Sequence, residues 1–464
     1  MLLLLAHAAL ATSLNFTTVV PARSALRLGV IAGPTGTNGA PDLTARFHEF
    51  GIKYIRNNDY YDDRLDIVGI LNCGGSTYPS WEGCDANDDR NYVWGPSDAL
   101  MKAMKDGAFE PMLRLGGEWE NHSKTHDFKG PQNSTQEANW IVAASKVATR
   151  YRGQYAYLDI WTEFPGPKFW DRDNDEFLPF WAQAYRAIKH AAPEARVGGP
   201  GFSGAATGQL AGGEQKGIAR RFVKGLYEQK VRPDWIGWHL FTNDPAEYVQ
   251  AGRAYRQLLD GTGEFSDVPW ARDHFFAGVE LVVDALGTTE RLEKHEKVDP
   301  EIVRQLHEGA RGASVLAASL IAIQSTDSTR AYWYRAGDLA PKAGKAAGSW
   351  LGLFAGDAAA TPKKSAYAAR LWGKFSSEYP VPVSVAQPSG EGVWAELASS
   401  AGGKAVFLAN TSGSSVTVDR GGIHEGTPKT GWFVDEKRDG TAAEGLSDGR
   451  ISLPPFGVAL VVLQ

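Results

Sequence analysis

From residue 27 to about residue 375, short apolar runs alternate with longer stretches in which apolar residues recur every three or four positions. The short runs, 27–31, 54–56, 110–115, 157–161, 196–198, 235–239, 275–280 and 330–334, read as eight strands. Between them, 43–50, 97–105, 137–151, 177–190, 219–229 and 300–325 read as helices. Asp299-Pro300 gives the last of these a start signal, a capping carboxylate before a residue whose missing N–H costs nothing in a first turn. Strands alternating with helices pair in parallel through crossovers. Eight such units predict an α/β fold, a (β/α)8 TIM barrel, in which functional side chains gather at the C-terminal ends of the strands.

Beyond residue 378 the pattern changes to short alternating runs, GVWAELAS, KAVFLAN, SVTVD, GWFVDE and ISLPPFGVALVVL, separated by Gly- and Ser-rich turns. These predict a C-terminal antiparallel β-sandwich. Residues 14–20 (LNFTTVV) also read as a strand, placed to pair with that sheet. The organisation expected is a leader over 1–11, an N-terminal strand within 12–26, a barrel over 27–377 and an accessory sandwich over 378–464.

The opening MLLLLAHAALA has the apolar stretch and small-x-small end of a secretory signal, though no basic residue precedes it. It is shorter than the roughly 20 residues a membrane span needs, and no later run reaches that length. The expectation is therefore a secreted or extracellular protein without a membrane span. Only two cysteines occur, Cys73 and Cys84, and in an oxidising compartment they would close a small surface loop. A metal site would want more ligands near these cysteines, and neither CxxC nor HExxH is present, so no metal site is expected. Sequons stand at Asn15, Asn121, Asn133 and Asn410. A net charge of -6, spread along the chain, argues against nucleic acid as a partner. The unusual feature is 15 Trp, 16 Tyr and 20 Phe beside 52 Gly, since aromatic rings both fill cores and stack on flat ligands.

Two fragments place a carboxylate at the expected end of an apolar strand: Leu158-Asp159-Ile160-Trp161-Thr162-Glu163, followed by Phe169-Trp170, and Phe275-Phe276-Ala277-Gly278-Val279-Glu280. Two carboxylates on different strands of one barrel make the acid/base and nucleophile pair of a retaining glycosidase. Asp234-Trp235-Ile236-Gly237-Trp238-His239 ends a strand in histidine, and Arg330-Ala331-Tyr332-Trp333 sets an indole at the end of the eighth.

In their order, Trp161-Thr162-Glu163-Phe164 with Phe169-Trp170, Val197-Gly198-Gly199-Pro200, DWIGWHLF, Gly278-Val279-Glu280 and Tyr332-Trp333 resemble glycoside hydrolase family 39. That family reads W-N-E-P, F-W, V-G-G-P, D-F-x-S-x-H-x-Y, I-T-E and Y-W, and Tyr54-Ile55-Arg56 and Arg114-Leu115-Gly116 resemble its second and third strands. The resemblance implies Glu163 as acid/base, Glu280 as nucleophile, His239 near the sugar subsite and Trp333 beneath the sugar, with neither metal nor cofactor. Four positions depart from it: Thr162 replaces the asparagine that binds the 2-hydroxyl, Phe241 a tyrosine that steadies the nucleophile, Val279 a threonine, and Asn58 a histidine. Trp238, Phe241, Asn58, Glu118 and Trp119 join the candidate contacts for a poly- or oligosaccharide, with Arg114 nearby. The function expected is retaining hydrolysis of O-glycosidic bonds by two glutamates. The alternatives are a carbohydrate-binding pseudoenzyme, favoured by the lost asparagine and tyrosine, and an unrelated barrel enzyme such as a lyase or aldolase.

Overall fold

The structure is a computed structural model that describes residues 25–36, 41–57, 65–73, 84–117, 130–214, 217–289, 299–339, 351–387, 392–418, 426–443 and 450–464, together with residues 11, 12, 14, 16, 18, 19 and 446. Eight parallel strands close into a barrel in chain order: β1 (Arg27–Ile31), β2 (Tyr54–Arg56), β3 (Glu110–Arg114), β4 (Tyr157–Asp159), β5 (Arg196–Gly198), β6 (Trp235–Phe241), β7 (Glu280–Gly287) and β8 (Ser328–Trp333). The helices are α1 (Thr44–Phe50), α2 (Ile67–Ile70), α3 (Gly95–Asp106), α4 (Ser134–Arg150), α5 (Asn174–Ala191), α6 (Gly204–Ala211), α7 (Ile218–Glu228), α8 (Pro245–Asp260), α9 (Pro300–His307), α10 (Ala310–Gln324) and α11 (Lys364–Glu378). Asp299 caps α9 by accepting a hydrogen bond from the Glu301 N–H, as its position before Pro300 predicts. The helix expected over 300–325 is two, interrupted at Glu308-Gly309. Helix α8, which the sequence reading omits, is capped by Asp244 with Pro245 in its first turn.

The seventh strand is the main correction. It begins at Glu280 instead of ending there. Residues 275–279 are apolar because Phe276 is buried against Trp270 and Phe275 packs on Tyr227, outside the barrel wall. Left-handed backbone at His274 and Gly278 (φ of 53° and 76°) folds this stretch into turns, with Ala277 N–H on His274 O and Val279 N–H on Phe276 O. The ladder starts where the Glu280 N–H reaches Asp234 O. The true strand escapes an apolar reading because its centre carries the buried Asp284.

After α11 come β9 (Val381–Ala386), β10 (Val393–Ser400), β11 (Gly403–Asn410), β12 (Val416–Val418), β13 (Pro428–Val434), β14 (Asp439–Ala443), β15 (Ile451–Leu453) and β16 (Val458–Leu463). They form a sandwich of a seven-stranded and a three-stranded sheet. Two short N-terminal strands complete it: Thr18–Val19 pairs antiparallel with β9, and Ala11–Thr12 pairs parallel with β12. Val393, Ala395 and Leu397 of β10 fill the space between the sheets, while Trp394 and Ala398 join the core shared with the barrel. Helix α10 lies between barrel and sandwich and is buried on every side, which is why its sequence is apolar all round. No described helix is long and apolar enough to cross a membrane.

Cys73 and Cys84 are bonded, with Cα atoms 5.4 Å apart. Among the sequons, Asn410 is fully buried, its amide donating to Ser414 O and Pro454 O, so a folded chain presents no acceptor there. Asn133 is exposed but caps α4. Asn15 and Asn121 lie outside the described residues.

By strand alternation Glu396 shares the barrel-facing side of β10 with Trp394 and Ala398. It is fully buried, and among the described residues neither carboxylate oxygen has a hydrogen-bond partner. Burial holds its pKa well above the usual carboxylate range, so it folds as the neutral acid. In the unfolded chain it ionises at about 4.3, so stability from this group is intact below that pH and falls as pH rises toward the folded value. Glu396→Gln, which does not titrate, is expected to gain on the wild type in melting temperature from pH 4 to pH 8. Parallel curves across that range would contradict the neutral-acid assignment.

Candidate active site

Alternation along β6 decides which of its residues face inward. Trp235 belongs to the cluster inside the barrel, with Ile31, Met112, Tyr157, Val282, Ala285 and Tyr332, whereas Ile236 and Trp238 belong to the outer core. Trp238 packs between barrel and helix, its ring 5.7 Å from Tyr255 and 6.2 Å from Tyr248, and is fully buried. It is therefore a core residue and not a substrate contact. His239, one residue on, points inward.

Above the apolar interior layer sits a group of charges. Arg56, at the end of β2, donates Nε and Nη2 to Asp159 Oδ2 at 3.1 and 2.6 Å, donates Nη2 to Thr162 Oγ1 at 3.1 Å, and lies 3.2 Å from Asp284 Oδ2. His239 Nε2 is 3.4 Å from the same Asp284 oxygen, and His239 Nδ1 is hydrogen-bonded to Glu163 Oε1. Arg56, Asp159 and Asp284 are fully buried, whereas the Glu163 side chain keeps 27% of its surface open. Burial disfavours the Arg56 charge, but Asp159 and Asp284 outweigh it. Burial together with repulsion from Asp284 raises Asp159 despite Arg56. For Asp284, burial is outweighed by His239 and Arg56, which hold it ionised. His239 is likewise opposed by burial, yet Asp284 and Glu163 push it up to about 9.

Glu163 adopts φ of 55°, a left-handed conformation uncommon for a side-chain-bearing residue. Strain of this kind persists only where the surroundings enforce it. Here Trp161 is locked among Trp140, Trp170, Phe177 and Phe180 behind the strand, and Phe164 stacks on Phe177 at 3.9 Å. The aromatic rings around this motif thus anchor the backbone from outside, and the carboxylate turns the other way, into the barrel mouth. The Val197-Gly198-Gly199-Pro200-Gly201 stretch closes the site from β5. A Cβ on Gly201, whose φ is 56°, would stand 2.7 Å from Asp284 Oδ2 and 2.9 Å from His239 Nε2.

Glu280 is elsewhere. It shares the N-terminal edge of the barrel with the starts of β4, β5 and β8, accepting from the Tyr157 hydroxyl at 2.8 and 2.9 Å and from Thr329 and Arg196. Glu163 follows the C-terminal end of β4, so the two carboxylates lie at opposite ends of the barrel and the expected pairing is corrected. The end of β7 that does reach the mouth runs through Gly287 to Thr288 and Thr289. The side-chain amide of Asn243 grips Thr289, donating to its O at 2.7 Å and accepting from its N–H at 3.1 Å. The next residue in sequence is Glu290, which the sequence reading missed and which lies outside the described residues. In the sequence Thr289 directly precedes Glu290, whereas Val279 precedes Glu280. The signal was available: Glu290 is the first acidic residue after the run 281–287.

Of the remaining candidates, Thr162 is buried beneath the mouth, held by Arg56. Trp333 ends β8, buried, with its indole N–H on Leu351 O. Phe241 is half-buried at the end of β6 in edge contact with half-buried Tyr334, 5.7 Å away. Arg114 is buried, donating to Gly117 O at 2.6 Å with Asp66 Oδ2 at 3.3 Å, a structural pairing. Asn58, Glu118 and Trp119 lie outside the described residues. Among the described residues no group of three or more His, Cys, Asp or Glu is arranged to hold a metal ion.

No family model matches the sequence, and no curated protein matches it. Solved structures do. A glucosidase from Croceicoccus marinus aligns over 98% of this chain and 99% of its own, with a TM-score of 0.67 at 15% identity. A GH39 β-xylosidase from Caulobacter crescentus aligns over 98% of both chains, with a TM-score of 0.61 at 16% identity. A family 39 glycoside hydrolase from Bacteroides cellulosilyticus WH2 covers 95% of this chain and 81% of its own, with a TM-score of 0.62 at 14% identity. The chain therefore has the GH39-like glycosidase fold, a (β/α)8 barrel with an accessory β-sandwich.

The closeness of Gly201 to the charged group gives a test. Gly201→Ala adds a Cβ against two charged side chains at an unfavourable φ and is expected to lower unfolding free energy by about 1–3 kcal/mol in urea titration. Gly208→Ala, in α6 with nothing within 4 Å of a built Cβ, serves as the control and should be neutral or slightly stabilising. Equal effects of the two would contradict the close packing.

Proposed function

We propose that this protein is a glycoside hydrolase that cleaves O-glycosidic bonds in a poly- or oligosaccharide with retention, using Glu163 as acid/base and Glu290 as nucleophile. The observation that carries this reading is the placement of Glu163: a partly open carboxylate at the C-terminal end of a barrel strand, in a strained conformation, hydrogen-bonded to a buried histidine. The glycosidases that share the fold support the substrate class. Glu290 follows a β7 terminus that Asn243 holds at the same end of the barrel. In the first step the Glu290 carboxylate attacks the anomeric carbon while Glu163 gives its proton to the departing oxygen; in the second, Glu163 takes a proton from water, which displaces Glu290. Half-buried Phe241 and Tyr334 offer rings to a sugar face at the mouth. The Cys73–Cys84 bond supports a secreted protein, since such bonds persist in oxidising compartments.

Three variants test the assignment. Glu163→Ala should keep activity on aryl glycosides with activated leaving groups, lose nearly all action on natural linkages, and recover turnover with azide. Glu290→Ala should be inactive on both substrate types. Glu280→Gln should keep wild-type activity while losing about 1–3 kcal/mol of stability, because it serves the other end of the barrel. Inactivity of Glu280→Gln in a folded protein would overturn the assignment of β7, and sugar binding without turnover on any substrate would favour a carbohydrate-binding protein instead.

A further inference from the structure

Asp284 is a fully buried carboxylate in the middle of a barrel strand that the two-glutamate scheme does not use. Its strand is built around it. On the β6 side the register passes from Trp238 opposite Val283 to His239 opposite Ala285, and on the β8 side from Ala331 opposite Val283 to Trp333 opposite Leu286. Asp284 therefore has no Cα partner in either ladder, as in a β-bulge, which re-aims a side chain. Two glycines make room for it: a Cβ on Gly237 would come within 2.8 Å of Asp284 Oδ1, and one on Gly201 within 2.7 Å of Oδ2. Its Oδ2 lies between two cations, 3.2 Å from Arg56 and 3.4 Å from His239. The other nitrogen of that imidazole holds Glu163.

We propose that Asp284 is a positioning residue, which fixes the orientation and charge of His239 and, through it, the carboxylate of Glu163. This rests on Glu163 as the acid/base. Asp284 faces Nε2, so Nδ1 is left to donate to Glu163 Oε1, and Oε2 remains for the substrate. A protonated His239 stabilises the negative charge that develops on Glu163 as its proton leaves for the glycosidic oxygen. Without Asp284 the imidazole would sit beside Arg56, desolvated, and shed its proton. The groups that bear on this pair are Arg56 from β2, Asp159 and Glu163 from β4 and its following loop, Tyr332 from β8 near Arg56, and the Tyr255 phenol from α8. Their net effect holds His239 up to about 9.

The test reads His239 directly, by NMR titration of labelled protein, and so does not depend on any activity. In the wild type His239 should titrate near 9; a midpoint at or below the ordinary value of about 6.5 would overturn the proposal without any variant. In Asp284→Asn, checked for folding by circular dichroism, the midpoint should fall by at least about one pH unit. In Glu163→Gln it should stay above the ordinary value. A midpoint that collapses in Glu163→Gln and holds in Asp284→Asn would assign the charge to Glu163 and overturn the role of Asp284. On a substrate turned over by the wild type, Asp284→Asn should lower kcat by about 100-fold with KM little changed. A wild type with no turnover would refute the glycosidase reading and leave the titration result standing on its own.

Discussion

A guanidinium sealed from water organises the upper half of the barrel. Taking an arginine and a carboxylate out of solvent costs several kcal/mol for each ion, even after relaxation, and that cost is offset only when charges meet at close range. Arg56 therefore requires Asp159 and Asp284 on either side. Two carboxylates around one arginine leave negative charge in excess, which raises the Asp159 pKa and favours the protonated form of His239. The hydrogen bond between His239 and Glu163 is the outlet of this arrangement, the point where a buried charge balance touches a partly open side chain. The close backbone of the β5 loop follows from the same constraint, because a side chain at Gly201 would occupy the space between the ions.

How much of this the sequence discloses depends on where each strand stops being apolar. β1, β2 and β5 begin and end at the residues their short apolar runs predict. β7 defeats the same reading because its interior holds a charge. Asp284 looks like the end of a run, while the preceding 275–279 looks like a strand although its rings face α7 and Trp270. One misplaced frame put Glu280 at the C-terminal end of β7, whereas it begins that strand. Trp238 and His239 illustrate the opposite limit: adjacent residues in a motif face opposite sides of the wall, and only the period of two tells them apart. Glu396 is legible only as a polar residue in an apolar strand, since its lack of a hydrogen-bond partner among the described residues is a property of the packing.

The two rims of the barrel use similar residues for different ends. At the N-terminal rim Glu280, Tyr157, Arg196 and Thr329 satisfy one another, with Arg330 paired to Glu110 and stacked over Tyr157. Such a closed network ties the strand starts together and leaves little hydrogen-bonding capacity for a ligand. At the C-terminal rim the network ends on a carboxylate whose second oxygen is uncommitted by any hydrogen bond among the described residues. The direction of the strand separates a structural carboxylate from the one proposed as the acid/base.

The strand Thr18–Val19 belongs to a sheet whose other members all follow the barrel in the chain. During synthesis this segment leaves the ribosome before any barrel strand, and its partner β9 emerges only after every barrel strand has been made. Contacts so distant in sequence form late and slowly. The barrel thus has time to close while its accessory sheet still lacks an edge, and the joining of Thr18–Val19 to β9 clasps together two segments that the whole barrel separates in the chain.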